Sequence, residues 1–178
     1  MDLLEKMQET RFLGQEFLTW VWYRSEINSQ LLDIPGTGPV EVWFEDRLSL
    51  ESGSGNSKQQ VTCQGKDLDL AEARTALKEG KKVSQARLRL GVDGQEWRVT
   101  LKAEGLELGS VKTPKTLDPD EEEPEGLNGR LLERVALTQV VIRILDGLYS
   151  DFIQVRLGET WEKDELPRIR RWLRADGN

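Results

Sequence analysis

The stretch VSQARLRLGVDGQEWRVTLKAEG (83–105) decides the fold class. Two alternating segments flank Asp93-Gly94, a pair strongly favoured in tight β-hairpin turns because both of its residues tolerate a positive φ. On the first segment Ala86, Leu88 and Leu90 alternate with Arg87 and Arg89. On the second, Trp97, Val99, Leu101 and Ala103 alternate with Arg98, Thr100 and Lys102. A side-chain period of two gathers the apolar residues on one face and Arg87, Arg89, Arg98 and Lys102 on the other.

Further strands lie on both sides. LELGSV (106–111) reads as a third short strand. In PVEVWFEDRLSL (39–50), Val40, Val42 and Phe44 oppose Glu41, Trp43 and Glu45. ESGSGNSK (51–58) is turn chemistry, and QQVTCQ (59–64) is its return strand, with Gln59, Val61 and Cys63 on one side.

Helices supply the cover. FLGQEFLTWVWYRSE (12–26) spaces Leu13, Phe17, Val21 and Trp22 as a buried helical stripe, with 2–8 as a weak beginning. Gly14 reads as a break or as the true start, and DIPGTGP (33–39) as the loop that ends the helix. A short helix follows Asp69, whose side chain and Glu72 form a capping-box pattern. Leu70, Ala73 and Leu77 make its stripe, and Gly80 is its stop. TPKTLDPDEEEPEGL (113–127) is acidic, proline-rich and too polar to pack. Leu131, Val135, Val141, Ile144, Leu145, Leu148 and Phe152 then mark a long amphipathic helix over 128–157, with Gly147 as an interruption. A last helix over 164–174 buries Leu166, Ile169, Trp172 and Leu173.

The expected fold is α+β: an antiparallel sheet of about five strands packed with an N-terminal helix, a short helix and a long C-terminal helix. The expected organisation is an α+β domain over 1–112, an acidic linker over 113–127, and a helical segment over 128–178 that packs on the sheet or on a partner subunit.

Composition narrows the function. The 178 residues include no histidine and one cysteine. The commonest general base and metal ligand is therefore absent, and with it every Ser-His-Asp arrangement. Cys63, in a strand pattern, reads as a buried structural thiol, and one thiol suits a reducing compartment. GSGNSK (53–58) lacks the spacing of a phosphate-binding P-loop and precedes a strand. The acidic run 118–125 lacks calcium-loop spacing. Glu41 and Glu45 share a strand face, but nothing in the sequence marks them for acid–base work, and they read as surface residues. No catalytic residue, metal or cofactor is expected. No segment reaches the ~20 apolar residues of a membrane span, so no membrane partner is expected either. The cytoplasm is the expected location.

The net charge of −7 is unevenly spread. Residues 1–52 hold ten acids and four bases, and 118–125 hold six acids and no base. Residues 81–102 hold six bases and two acids, a local +4, and 168–178 hold four arginines and one acid, a local +3. Two basic features result: the hairpin face with Arg87, Arg89, Arg98 and Lys102, and the helical cluster Arg168, Arg170, Arg171 and Arg174. Binding of a polyanion depends on the field at one face rather than on the total.

FLGQEFLTWVWYRSE (12–26) and VTCQGKDLDLAEARTALKEGKKVSQARLRLGVDGQEWRVTLKAEGLELGSVKTP (61–114) resemble the carboxy-terminal half of the recombination-associated protein RdgC family. The shared pattern is a strand, an Asp-Leu turn into a short helix, an EGK-K-V segment and paired strands. The resemblance implies binding of double-stranded DNA without sequence preference, linked to recombination and replication, with no reaction catalysed. It also implies a nucleoid location and a homodimer or larger assembly around a basic channel. No individual DNA-contacting residue is carried over from the family. The eight basic residues above are candidate phosphate contacts by charge alone. The alternative expectation is a protein-interaction module, or a DNA mimic, whose acidic segments meet a basic recombination or replication protein.

Overall fold

The computed structural model describes residues 3–52, 59–64, 70–115 and 124–175. Helix α1 (Leu3–Ile27) is followed by β1 (Leu31–Ile34), β2 (Gly38–Ser52) and β3 (Gln59–Gln64). Then come α2 (Leu70–Lys78), β4 (Lys82–Val92), β5 (Gln95–Lys102) and β6 (Glu107–Lys112). Helix α3 (Pro124–Leu157) and α4 (Leu166–Arg174) close the chain, joined by one π-type turn over Trp161–Glu165.

All pairings are antiparallel. The order is β1-β2-β4-β5-β6, with β3 on the same edge of β2 as β1 but further along it, six strands among the described residues. The fold is therefore α+β, with one strand more than expected. β1 is the addition. The loop chemistry of DIPGTGP is the turn of a β1–β2 hairpin, in which Leu31 faces Glu41 and Ile34 faces Gly38. The turn at Asp93-Gly94 takes positive φ at both residues (49° and 75°), as a hairpin of this type requires.

The apolar sheet face is Val40, Val42, Leu48 and Leu50 of β2, Ala86, Leu88 and Leu90 of β4, and Trp97, Val99 and Leu101 of β5, all buried. Helices α1 and α3 cover it with Phe17, Leu18, Trp20, Val21, Trp22, Val141, Ile144, Leu148 and Phe152. Ile169 and Trp172 of α4 join the same core, so the C-terminal helices and the sheet share one hydrophobic cluster. Trp97 donates its indole N–H to the Leu137 carbonyl at 3.0 Å and ties α3 to β5. Gln15 donates to Glu51 at 2.9 Å and ties α1 to β2.

Both helical glycines expected to interrupt their helices lie inside continuous ones. A Cβ on Gly14 would fall 1.9 Å from the Ala103 carbonyl oxygen, and one on Gly147 would fall 2.5 Å from Ile34. Each glycine marks a close approach rather than a break. Gly14→Ala must push backbone from backbone, a clash of about 1–3 kcal/mol that exceeds the gain of up to about 1 kcal/mol in helix propensity. Its unfolding temperature should fall, by about 2–4 °C for each kcal/mol lost. Gly129 in α3 meets nothing within 4 Å. Gly129→Ala should raise the unfolding temperature, and calorimetry on the two variants checks the opposite signs.

The stripe expected along the long helix is buried only from Val141 onward. Leu131 and Val135, counted in that stripe, are 62% and 47% exposed, beside Leu132 at 69% and Ile142 at 45%. Every residue from Gly129 to Ala136 is exposed. The helix also begins at Pro124, inside the span read as linker. The loop 53–58, the Asp69 cap and linker residues 116–123 lie outside the described residues.

Candidate nucleic-acid interface

The hairpin places its four cations where the alternation predicts, on the sheet face opposite the helices. Arg89 lies beside Arg98 across β4–β5, and Arg98 beside Lys112 across β5–β6. The same register brings carboxylates among them. Arg87 donates to Asp46 at 3.0 and 3.2 Å. Glu45 lies 3.5 Å from both Arg89 and Arg98, an ion-pair distance too long for a good hydrogen bond. Glu96 lies 3.4 Å from Arg89 and 3.1 Å from Arg98. Lys102 donates to Glu107 at 3.0 Å. The Arg89 guanidinium also stacks on Trp43, 4.9 Å from the ring centre.

These exposed pairs contribute little stability, roughly 0–1 kcal/mol each. Their consequence is electrostatic. The charge of Arg87, Arg89, Arg98 and Lys102 is offset on this face by Glu45 and Asp46 from β2, Glu96 from β5 and Glu107 from β6. β2 delivers its acids through an irregularity between Phe44 and Leu48, where two β4 steps oppose four of β2.

The second cluster is different. Arg168, Arg170, Arg171 and Arg174 are all exposed on α4, whose Ile169 and Trp172 turn inward. None of the four has a carboxylate at ion-pair distance among the described residues. Arg24 of α1 and Arg168 and Arg171 of α4 each act on the Tyr23 hydroxyl. Burial raises the pKa of that hydroxyl above the ordinary phenol value, and Glu165 raises it further; Arg168, Arg24 and Arg171 oppose the rise. Arg24 also lies 5.3 Å from the centre of the Trp20 ring.

Two carboxylates hold α4 in place. Glu26 accepts from the indole N–H of Trp22 at 2.7 Å and of Trp172 at 2.8 Å, and it pairs with Arg74 of α2. Glu165, buried in the π-type turn, accepts from the indole N–H of Trp20 at 3.0 Å. The patch therefore sits on a helix anchored from beneath by tryptophans.

Among the described residues no group of three or more Cys, Asp or Glu side chains could hold a metal ion. Cys63 is buried in β3, opposite Leu48. No described helix is long and apolar enough to cross a membrane. Comparison of the chain with protein-family profiles, curated proteins and solved structures finds no match.

Proposed function

We propose that this chain is a non-catalytic protein that binds double-stranded DNA without sequence preference, in the manner the RdgC resemblance implies. α4 is its principal phosphate-contacting surface. The observation that carries this reading is the exposed set Arg168, Arg170, Arg171 and Arg174, free of carboxylate partners among the described residues and set on an anchored helix. Arginine suits phosphate because its planar fork donates two hydrogen bonds at once. On the sheet face Arg87, Arg89, Arg98 and Lys102 are secondary contacts, since a phosphate there must displace a carboxylate. A nucleoid-associated role in recombination or replication belongs to the same proposal.

The test is duplex affinity measured against salt. Each phosphate contact adds about 0.9 to the log–log slope. R170A/R171A/R174A should therefore flatten the slope by up to roughly 2.7 if all three make contacts. R87A/R98A should change it by less. Absence of binding by the unaltered protein at low salt would sink the proposal, and an unchanged slope in the α4 variant would move the contact surface elsewhere.

The exposed Leu131, Leu132, Val135 and Ile142 of α3 favour a second reading, a protein-interaction module, because apolar residues clustered on one helix suit a protein partner better than a phosphate backbone. Under that reading the α4 variant would still capture its partner.

A further inference from the structure

We infer that the open edge of β6 is a self-pairing surface, on which a second copy of this chain adds its own β6 antiparallel and continues the sheet across a two-fold axis. Among the described residues β6 pairs with β5 alone, so its other edge presents unpaired N–H and C=O groups. Such an edge binds another strand by main-chain hydrogen bonds, and the side chains decide which strand fits.

The six residues Glu-Leu-Gly-Ser-Val-Lys (107–112) are complementary to their own reverse. With the two-fold axis between Gly109 and Ser110, Glu107 faces Lys112 of the second copy, Leu108 faces Val111, and Gly109 faces Ser110. The faces agree as well. Leu108 pairs with Leu101 and Val111 with Val99, both on the buried side of the sheet. Glu107 pairs with Lys102 and Lys112 with Arg98, both on the outer side. The register irregularity between Val99 and Leu101 is what brings Leu108 and Val111 to one side, although they are three residues apart. Each is only half-buried in the single chain, so a second copy would complete their cover. An isologous pairing brings the Glu107–Lys112 contact twice.

The opposite edge of the sheet lacks this property. There β1 and β3 flank separate halves of β2 and leave a stepped edge. Self-pairing of β3 would set Gln59 against Gln64 and Gln60 against Cys63, with no charge pair, and self-pairing of β1 would set Asp33 against Leu32.

This inference does not rest on DNA binding, and its test reads mass alone. Sedimentation equilibrium across the micromolar range should show a dimer for the unaltered chain. E107K or K112E each replace attraction by repulsion at both symmetric contacts, which should weaken the dimer by roughly tenfold to a hundredfold. E107K also removes the partner of Lys102 within the chain, so the deciding variant is E107K/K112E. It exchanges the two charges and should restore a dimer, with circular dichroism confirming that all variants fold. A bulge and a lysine are also devices by which a lone sheet guards its edge. A monomer at every concentration would give them that role and overturn the inference. So would a dimer that survives both single reversals, or one that the double exchange fails to recover.

Discussion

Glu26→Ala is expected to cause the largest loss of stability of any single change at a charged residue of this protein. The carboxylate takes hydrogen bonds from two indoles and an ion pair from Arg74, so it joins α1, α2 and α4. Its removal leaves two indole N–H groups without their acceptor and a guanidinium, itself stacked 5.2 Å from the Trp172 ring centre, without its counter-charge. Breaking a buried charge network typically costs about 3–5 kcal/mol. The lower end applies, because the Glu26 side chain keeps 15% of its exposure. Against a total stability of about 5–15 kcal/mol that is a large fraction. Urea unfolding followed by far-ultraviolet circular dichroism should show a midpoint well below that of the unaltered chain. A double-mutant cycle with Arg74→Ala should give strong coupling, because both single changes break the same contact. A midpoint unchanged in Glu26→Ala would mean that the Glu26 contacts do not hold α4.

Trp20→Ala is expected to cost at least as much. Trp20 is almost wholly buried, and its ring meets Phe152 at a centre distance of 5.6 Å. Replacing a large buried aromatic by alanine costs about 3–5 kcal/mol through lost transfer energy and the cavity left behind. The change also takes the indole N–H away from Glu165, a buried carboxylate. Trp20→Phe separates the two effects. It keeps a ring against Phe152 and loses only the donor, so its loss should fall between zero and that of Trp20→Ala. Equal losses for both would mean that the hydrogen bond to Glu165, and not packing, dominates. The same variants bear on the proposed DNA surface, since Glu165 immediately precedes α4. A loosened α4 should weaken DNA retention even though no arginine has changed.

Both positions lie on α1, whose helical character is plain from Phe17, Val21 and Trp22. The hairpin was equally open to reading, because alternation and the Asp93-Gly94 turn are properties of neighbours in the chain. β3 falls where QQVTCQ was expected to be a strand. β1 is not legible in the sequence because Leu31–Ile34 is too short to show a period and runs into Pro35 and Gly36; pairing with β2 is what makes it a strand. Gly14 and Gly147 misled in one direction. A glycine within a helical pattern signals weakness when read locally, whereas here it signals Ala103 or Ile34 approaching from another element. Leu131 and Val135 misled in the other direction. Spacing shows that a helix has an apolar side and says nothing about whether another element lies against it.

The candidate site divides in the same way. Alternation alone determined that Arg87, Arg89, Arg98 and Lys102 share a face, and helical spacing grouped Arg170, Arg171 and Arg174 beside Arg168 in the chain. The absence of histidine removes the commonest general base and metal ligand whatever the fold. Only the tertiary structure decided which basic cluster keeps its charge. Strand register set Glu45, Asp46 and Glu107 beside the hairpin cations, whereas no carboxylate among the described residues lies at ion-pair distance from the α4 arginines. The physical reason is range. Side-chain direction follows from backbone geometry a few residues at a time, whereas an ion pair depends on a distance of a few ångströms between residues far apart in the chain, 53 positions for Glu45 and Arg98, and folding alone sets that distance.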